Sequence, residues 1–376
     1  MDLNIEQIEQ IGRDFFKSKT YEGKLEFQVP LKEHTTMKVG GNAAIFLSPE
    51  NSSSLLFALS FFKLAGIKTY ILGAGSNVIF DDKGFCGAVI STLQLNKIFV
   101  EKKSIKESQI ETENTKTYET EISCGAGVLV DSLLEFCEKK GLGTLNTFGG
   151  LPASLGGACY MNARCYSVEI SDFIKHVEYL DLDVLDNSLN ILLKDLKNSA
   201  EELTSVEILK FLEENKKNLE NTIKIYQNNK DDWSYKKSPF TNKNFVITKI
   251  ALSAQILDLQ NFLTGNNANK KVQDFLRSEN QKYIQDRTKK GHFIKPSAGS
   301  VFKNNRDFYV PSGKLIDEAG LRGTVIGGAE ISEWHGNFIV NNGNASAEDI
   351  KNLVELAERK VQEKFGFKLE CEIIFV

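Results

Sequence analysis

Three stretches of the chain combine residue types that can do chemistry. The densest is Phe148 to Tyr166, FGGLPASLGGACYMNARCY, where Gly149-Gly150 and Gly156-Gly157 flank Pro152 and an asparagine follows at 162. Paired glycines let backbone N–H groups approach a ligand where a side chain would block them, and the proline fixes one φ between them, so the loop suits a phosphate-bearing cofactor. A tight turn in an ordinary core explains one glycine pair equally well. The second stretch, ILGAGSNVIF at 71–80, runs an apolar strand into Gly73, Gly75, Ser76 and Asn77 and sets several N–H donors at a strand end. Its spacing is neither the GxGxxG of a dinucleotide turn nor the GxxxxGK(S/T) of a phosphate loop, which excludes both. The third is a carboxylate. Alternation over Leu369 to Val376 predicts a strand with Leu369, Cys371, Ile373 and Phe375 on one face and Glu370, Glu372 and Ile374 on the other. Glu372 between apolar neighbours requires a reason.

The elements that must position these stretches follow from periodicity. From Leu31 the chain predicts an extended entry, a Gly40-Gly41 turn and a strand, after which Ser52 to Ser54 cap a helix over Leu55 to Ala65 and a strand follows over Lys68 to Leu72. Strands are expected over Gly87 to Ser91, Lys97 to Val100 and Tyr118 to Ser123, with an exposed hairpin over Glu101 to Lys116. Val128, Leu129, Leu133, Leu134 and Cys137 have helical spacing up to Gly141. Both glycine loops are thus bracketed by alternating strands and helices, an α+β arrangement around one bound molecule. Residues 186–232 are rich in Asn, Lys and Glu, with weak helical spacing of Val206, Leu209, Leu212, Leu219 and Ile223, and read as an inserted, solvated helical excursion. A strand resumes at Phe245 to Ala251, helices follow over Leu257 to Leu263 and Val272 to Lys282, and PSAGSVFKN at 296–304 interrupts with small residues. Ser346 and Asp349 resemble a capping box before a helix whose face is Ile350, Val354, Ala357 and Val361.

Composition narrows the classes. The chain has 376 residues, 41% hydrophobic and 26% charged, enough for two or three domains and a sizeable core. A net charge of -4 and a pI near 5.8 give no footprint for nucleic acid, while a local basic pocket for a phosphorylated metabolite stays open. The acidic start MDLNIEQIEQIGRDFF spaces Ile5, Ile8 and Ile11 as a helix, so no export is expected. The run Leu55 to Ala65 is interrupted by Ser60 and Lys63 and is too short to span a bilayer, so no membrane partner is expected. Six cysteines without CxxC spacing and four histidines without a ligand-like pair predict core thiols and no metal; Cys159 and Cys165 invite a redox reading, but packing beside a loop is favoured.

Several motifs together resemble the UDP-N-acetylenolpyruvoylglucosamine reductases, flavoenzymes that make UDP-N-acetylmuramate for peptidoglycan. They are HTTMKVGG at 34–41, ILGAGSNVIF at 71–80, GLPASLGGACYMNA at 150–163, YKKS at 235–238, PSAGSVFKN at 296–304, LIDEAGLRGTVIGGAEISEWHGNFIVN at 315–341 and LECE at 369–372. The likeness spans nearly all of Leu31 to Phe375. It implies an α+β protein with a vanillyl-alcohol-oxidase type FAD-binding fold of two α+β subdomains and a C-terminal α+β substrate domain. The expected boundaries are an N-terminal helical extension over 1–30, the FAD-binding domain over 31–252 with its charged helical insertion at about 186–232, and the substrate domain over 253–376. The resemblance implies that FAD lies against Thr36, Gly73, Ala74, Gly75, Ser76, Asn77, Gly149, Gly150, Ser154, Gly156, Gly157 and Asn162. It implies NADPH as reductant and UDP-N-acetylglucosamine enolpyruvate as substrate, in a cytoplasmic monomer. By motif Ser300 is the proton donor and Glu372 the second catalytic residue, while Tyr235, Lys290, Lys303, Asn304, Arg322 and His335 fall where the family contacts the nucleotide sugar.

Two positions depart from the pattern. Lys236 stands where the family has the arginine of its Tyr-Arg-x-Ser motif, which puts the expected catalytic carboxylate clamp in doubt, and Arg164 stands where a glycine is usual. An FAD-dependent oxidase of alcohols or sugars would keep the flavin loops but has no use for PSAGSVFKN with LECE. A flavin-binding homologue with weakened chemistry is the other alternative, and Lys236 is the feature that speaks for it.

Overall fold

The computed structural model describes residues 3–107, 118–194, 203–305 and 307–376. It divides into two compact units, one of Met1–Leu25, Leu47–Gly73 and Ala88–Ile284, the other of Glu26–Phe46, Ala74–Gly87 and Gln285–Val376.

The first unit is built on an antiparallel sheet whose strands lie in the order Ile223–Gln227, Ile174–Asp181, Phe245–Ile256, Tyr118–Gly125, Ile98–Glu107, with Leu142–Gly143 also on Phe245–Ile256. The central strand pairs Ile250 with Cys124 and Leu252 with Ile122, and these side chains join Leu133, Phe148, Leu155 and Cys159 in one core. Cys124, Cys137, Cys159 and Cys165 are buried and in no disulfide, but Cys86 is exposed and Cys371 half-buried, so the expectation of core thiols fails at Cys86, which lies near the start of the strand Phe85–Ser91 rather than in the core. The helix Val130–Lys140 stops at Gly141, whose φ of 69° is the left-handed geometry that glycine adopts without strain. The hairpin expected over 101–116 begins in the strand Ile98–Glu107; its remainder, 108–116, lies outside the described residues.

The helix Ser52–Leu64 begins earlier than Leu55 because Asn51 caps it, its side chain accepting from Ser54 N–H at 2.8 Å. It is buried from Ser54 to Phe62, and Ser60 satisfies its hydroxyl on the Leu56 carbonyl. Against it lies the N-terminal helix Ile5–Phe15, whose last residue sits fully buried with its ring centre 4.9 Å from Tyr21, 5.8 Å from Phe57, 4.9 Å from Phe61 and 5.1 Å from Phe62. The charged insertion supplies the helices Leu182–Lys194 and Ser205–Leu219, but it is not wholly helical: Ile223–Gln227 is an edge strand paired with Ile174–Asp181, Ile223 opposite Leu180. The four-residue step from Leu219 to Ile223 copies a helical period, but the helix ends at Leu219 and Ile223 begins the strand.

The second unit carries an antiparallel sheet ordered Ser297–Ser300, Phe338–Asn341, Ala329–Ile331, Val325–Ile326. The helix Ala347–Phe365 buries Ile350, Leu353, Val354, Ala357 and Val361 into a core with Val301, Phe302, Leu315 and Ile339. Its capping box of Ser346 and Asp349 is present, and Asp82 accepts from Ala347 N–H at 3.0 Å. The strand expected over Leu369 to Val376 is broken. Cys371 bridges Phe302, and only Ile374–Phe375 forms a strand, parallel to Val78–Ile79, because the segment changes partner partway.

His292 and His335 meet edge to face at 5.8 Å, with Phe338 against both. Burial, then the charges of Arg287, His335 and Lys290, pushes His292 down to about 4, and Nε2 of His292 is buried without a partner.

Phe15→Ala should cost about 3 to 5 kcal/mol by emptying a fully buried aromatic site, read as a lower denaturant midpoint with unchanged slope; an unchanged midpoint would mean that the N-terminal helix adds nothing to the unit. Because the unfolded chain takes up the His292 proton near pH 6.5 and the folded unit only near 4, stability should fall as pH drops through that window. Urea midpoints at several pH values should show a shallower fall in His292→Gln, and parallel curves would remove His292 from this role.

Candidate functional site

In the second unit the first glycine loop is shaped by its neighbours. Gly75 adopts φ +65°, and a Cβ there would lie 2.1 Å from the His34 carbonyl, so no other residue fits. Thr36 N–H donates to the Gly75 carbonyl at 3.0 Å, and the Thr36 hydroxyl donates to the Ser297 carbonyl at 2.6 Å. The N–H groups of Ala74, Gly75 and Ser76 donate to no protein acceptor among the described residues. Three adjacent backbone donors without protein partners form a concavity for an anion.

The loop is tied to the segment that carries Glu372. Asn77 Nδ2 donates to the Glu372 carbonyl at 3.1 Å, and Ile374 N–H donates back to the Asn77 carbonyl at 3.0 Å. Glu372 N–H donates to the Val301 carbonyl at 2.7 Å, and Lys303 N–H to the Glu370 carbonyl at 2.9 Å. Val301 and Glu372 are thereby joined through their backbones, one residue on from Ser300. Gly299 before it has φ +76° with open space where a Cβ would stand, and the Ser300 hydroxyl forms no hydrogen bond among the described residues. The alternation of LECE therefore reports two backbone pairings in succession rather than one continuous strand.

Other predicted residues of this unit are distributed around that seam. Lys303 Nζ pairs with Glu370, and Asn304 Oδ1 accepts from Ser312 N–H at 3.0 Å. Arg322 Nε lies 3.0 Å from Asp317, and Lys290 Nζ 2.6 Å from Asp286. Burial, followed by the charge of Arg322, lowers His335 from its ordinary value; its Nδ1 accepts from Asn337 N–H at 3.2 Å, which leaves the proton of the neutral ring on Nε2.

Two asparagines with no assigned role in the motifs hold this arrangement. Asn337, 3% exposed, accepts from Phe302 N–H at 2.9 Å and donates to the Phe302 carbonyl at 2.8 Å, and its own carbonyl receives Val301 N–H. Asn341 donates to the Met37 carbonyl at 3.0 Å and accepts from Gly343 and Ala345 N–H. Buried amides at both ends of the apolar strand Phe338–Asn341 were the available signal in NFIVN, since a buried polar side chain must find partners.

In the first unit the second glycine loop meets Gly73. Ser154 Oγ would stand 2.5 Å from a Cβ on Gly73, and it caps the short helix Leu155–Tyr160 by accepting from Gly157 N–H at 3.3 Å. The other donors of this loop are engaged: Gly150 N–H on Asp131 at 2.9 Å and Gly156 N–H on the Ala126 carbonyl at 2.8 Å. A Cβ on Gly156 would lie 2.9 Å from that of Ala126. These glycines therefore allow close packing of backbone on backbone, whereas free donors cluster at 74–76. Asn162, with φ +42° and no exposure, donates from Nδ2 to Glu169 Oε2 and to the Ser234 carbonyl, both at 2.9 Å, while its Oδ1 is buried without a partner. It thus joins the Arg164–Glu169 hairpin to the turn bearing Tyr235 and Lys236, which Ser234 and Lys237 close with reciprocal hydrogen bonds and in which Lys236 has φ +57°.

Comparison with known proteins identifies the family. Residues 290–376 match the family model for the UDP-N-acetylenolpyruvoylglucosamine reductase C-terminal domain, and residues 43–183 match the FAD binding domain. A UDP-N-acetylenolpyruvoylglucosamine reductase of Treponema denticola is 40% identical over 94% of this chain and 94% of its own, and one of Treponema pallidum is 35% identical over 92% of each. The crystal structure of such a reductase from Thermus caldophilus shares the fold at a TM-score of 0.59, with 24% identity over 94% of this chain and 99% of that one. The partnerless backbone donors at 74–76 and the glycine that only Gly75 can be fit the pyrophosphate of FAD. With two spirochaete relatives matched almost end to end and both domain models satisfied, the chain belongs to the UDP-N-acetylenolpyruvoylglucosamine reductase family.

Proposed function

We propose that the chain uses NADPH to reduce the enolpyruvyl group of UDP-N-acetylglucosamine enolpyruvate, giving UDP-N-acetylmuramate. The observation that supports this reading is the backbone seam that joins Glu372 to Val301, the residue after Ser300, and to the glycine loop through Asn77. When bound, FAD accepts hydride equivalents from the nicotinamide and delivers them to the enolpyruvyl double bond. Hydride addition at the carbon distal to the ether oxygen leaves negative charge conjugated with the substrate carboxylate, so the protein must supply a proton and fixed positive charge.

Ser300 supplies the proton, from Oγ, to the carbon bearing the ether oxygen. A serine hydroxyl is a weak acid, but an enolate is a strong base, and the Lys303 cation three residues along the chain favours the transfer. Glu372 hydrogen-bonds the developing enol. Asn337 keeps both residues in register by fixing the backbone of Val301 and Phe302. Tyr235 and Lys236 bind the carboxylate end of the substrate, and Lys290, Asn304, Arg322 and His335 take up the nucleotide sugar, His335 as a neutral Nε2–H donor. In this reading residues 31–252 form the flavin-binding part and 253–376 the substrate part. An oxidase would need no acid at Ser300, which disfavours that alternative.

Ser300→Ala should leave flavin bleaching by NADPH nearly unchanged and slow reoxidation by the enolpyruvyl substrate by about 10²- to 10⁴-fold, the usual cost of losing a general acid. Stopped-flow traces in which both half-reactions slow equally would remove Ser300 as donor.

A further inference from the structure

The direction of Arg164 is set by its hairpin. Arg164–Cys165 pairs antiparallel with Val168–Glu169, which puts Arg164 directly opposite Glu169. Their closest approach, Nη1 to Oε1, is 4.0 Å, beyond hydrogen-bond reach, and the other oxygen of that carboxylate already accepts from Asn162. On its other side the guanidinium carbon lies 6.0 Å from the centre of the Tyr235 ring. Arg164 donates no hydrogen bond among the described residues, and its side chain is 34% exposed. A guanidinium has five donors in a rigid fork. Here it is oriented by a carboxylate and an aromatic face, and its donors are unused.

We propose that Arg164 is a substrate-contact residue whose fork binds the carboxylate of the enolpyruvyl nucleotide sugar beside Lys236. This rests on the reductase reading above. An ammonium supplies charge but must be positioned by its neighbours, whereas a guanidinium grips a carboxylate with two parallel hydrogen bonds. Lys236 stands next to Tyr235 in a turn that Asn162 clasps through the Ser234 carbonyl, and the same Asn162 clasps Glu169. One buried side chain therefore ties the hairpin that carries Arg164 to the turn that carries Tyr235 and Lys236. Asn162 and Glu169 are positioning residues in this scheme, and Arg164 divides with Lys236 the task of holding the anionic end of the substrate while charge grows on it.

The test compares two ligands that differ by the lactyl ether that bears the carboxylate. UDP-N-acetylmuramate carries it and UDP-N-acetylglucosamine does not. In Arg164→Ala holoenzyme, affinity for UDP-N-acetylmuramate should fall about tenfold, affinity for UDP-N-acetylglucosamine should change less than about twofold, and reoxidation at low enolpyruvyl substrate should slow about tenfold, with bleaching by NADPH unchanged. Arg164→Lys should lie between Arg164→Ala and wild type. Equal loss for both nucleotide sugars, or wild-type behaviour in Arg164→Ala, would overturn the assignment. If Arg164→Ala purifies without flavin, Arg164→Lys decides: a selective loss for the carboxylate-bearing ligand supports the role, and none overturns it. Wild-type enzyme that is not reoxidised by the enolpyruvyl sugar would sink the reductase reading instead, and the paired binding comparison would still judge Arg164.

Discussion

The hydrogen bond from Glu372 N–H to the Val301 carbonyl, 2.7 Å long, is the constraint on which the second unit's candidate site depends. It joins the last turn of the chain to the segment that follows Ser300. Around it the bonds of Asn337 to Phe302 fix one side, and the bond of Asn77 to the Glu372 carbonyl fixes the other. The bonds between Asn337 and Phe302 are buried, so losing either partner leaves a buried donor or acceptor unmet, at about 1 to 3 kcal/mol.

The first unit uses a different device for the same end. Its glycine loop is pinned through donors already engaged with protein, and Asn162 clasps two loops from a fully buried position with a left-handed backbone. Asn tolerates that backbone better than most residues, and its two amide protons are what the clasp needs. The division of labour is physical: backbone donors without protein partners lie at 74–76, close packing at 149–157, and side-chain cations at 164 and 236.

Much of this was legible in the sequence wherever the cause is local. The capping box at Ser346, the stop at Gly141 and the buried helix through Leu55 follow from short-range geometry. What escaped depends on contacts far along the chain. Asn337 and Phe302 are 35 residues apart, Asn341 and Met37 are 304 apart, and nothing local reveals such pairs. The same reason explains Ile223–Gln227, whose strand character comes from Ile174–Asp181, and the broken strand after Leu369, whose two halves answer to different partners. The side chain of Arg164 has a direction only once Glu169 and Tyr235 stand on either side of it.

In the proposed reaction a proton from Ser300 completes reduction of a carbon–carbon double bond, and the sugar nucleotide itself returns the flavin to its oxidised state. The most direct measurement is anaerobic. Holoenzyme reduced with one equivalent of dithionite is mixed with UDP-N-acetylglucosamine enolpyruvate, and the flavin absorbance is followed alongside product formation. The account predicts full return of the oxidised spectrum with one UDP-N-acetylmuramate formed per flavin. A flavin that stays bleached until oxygen is admitted would contradict it.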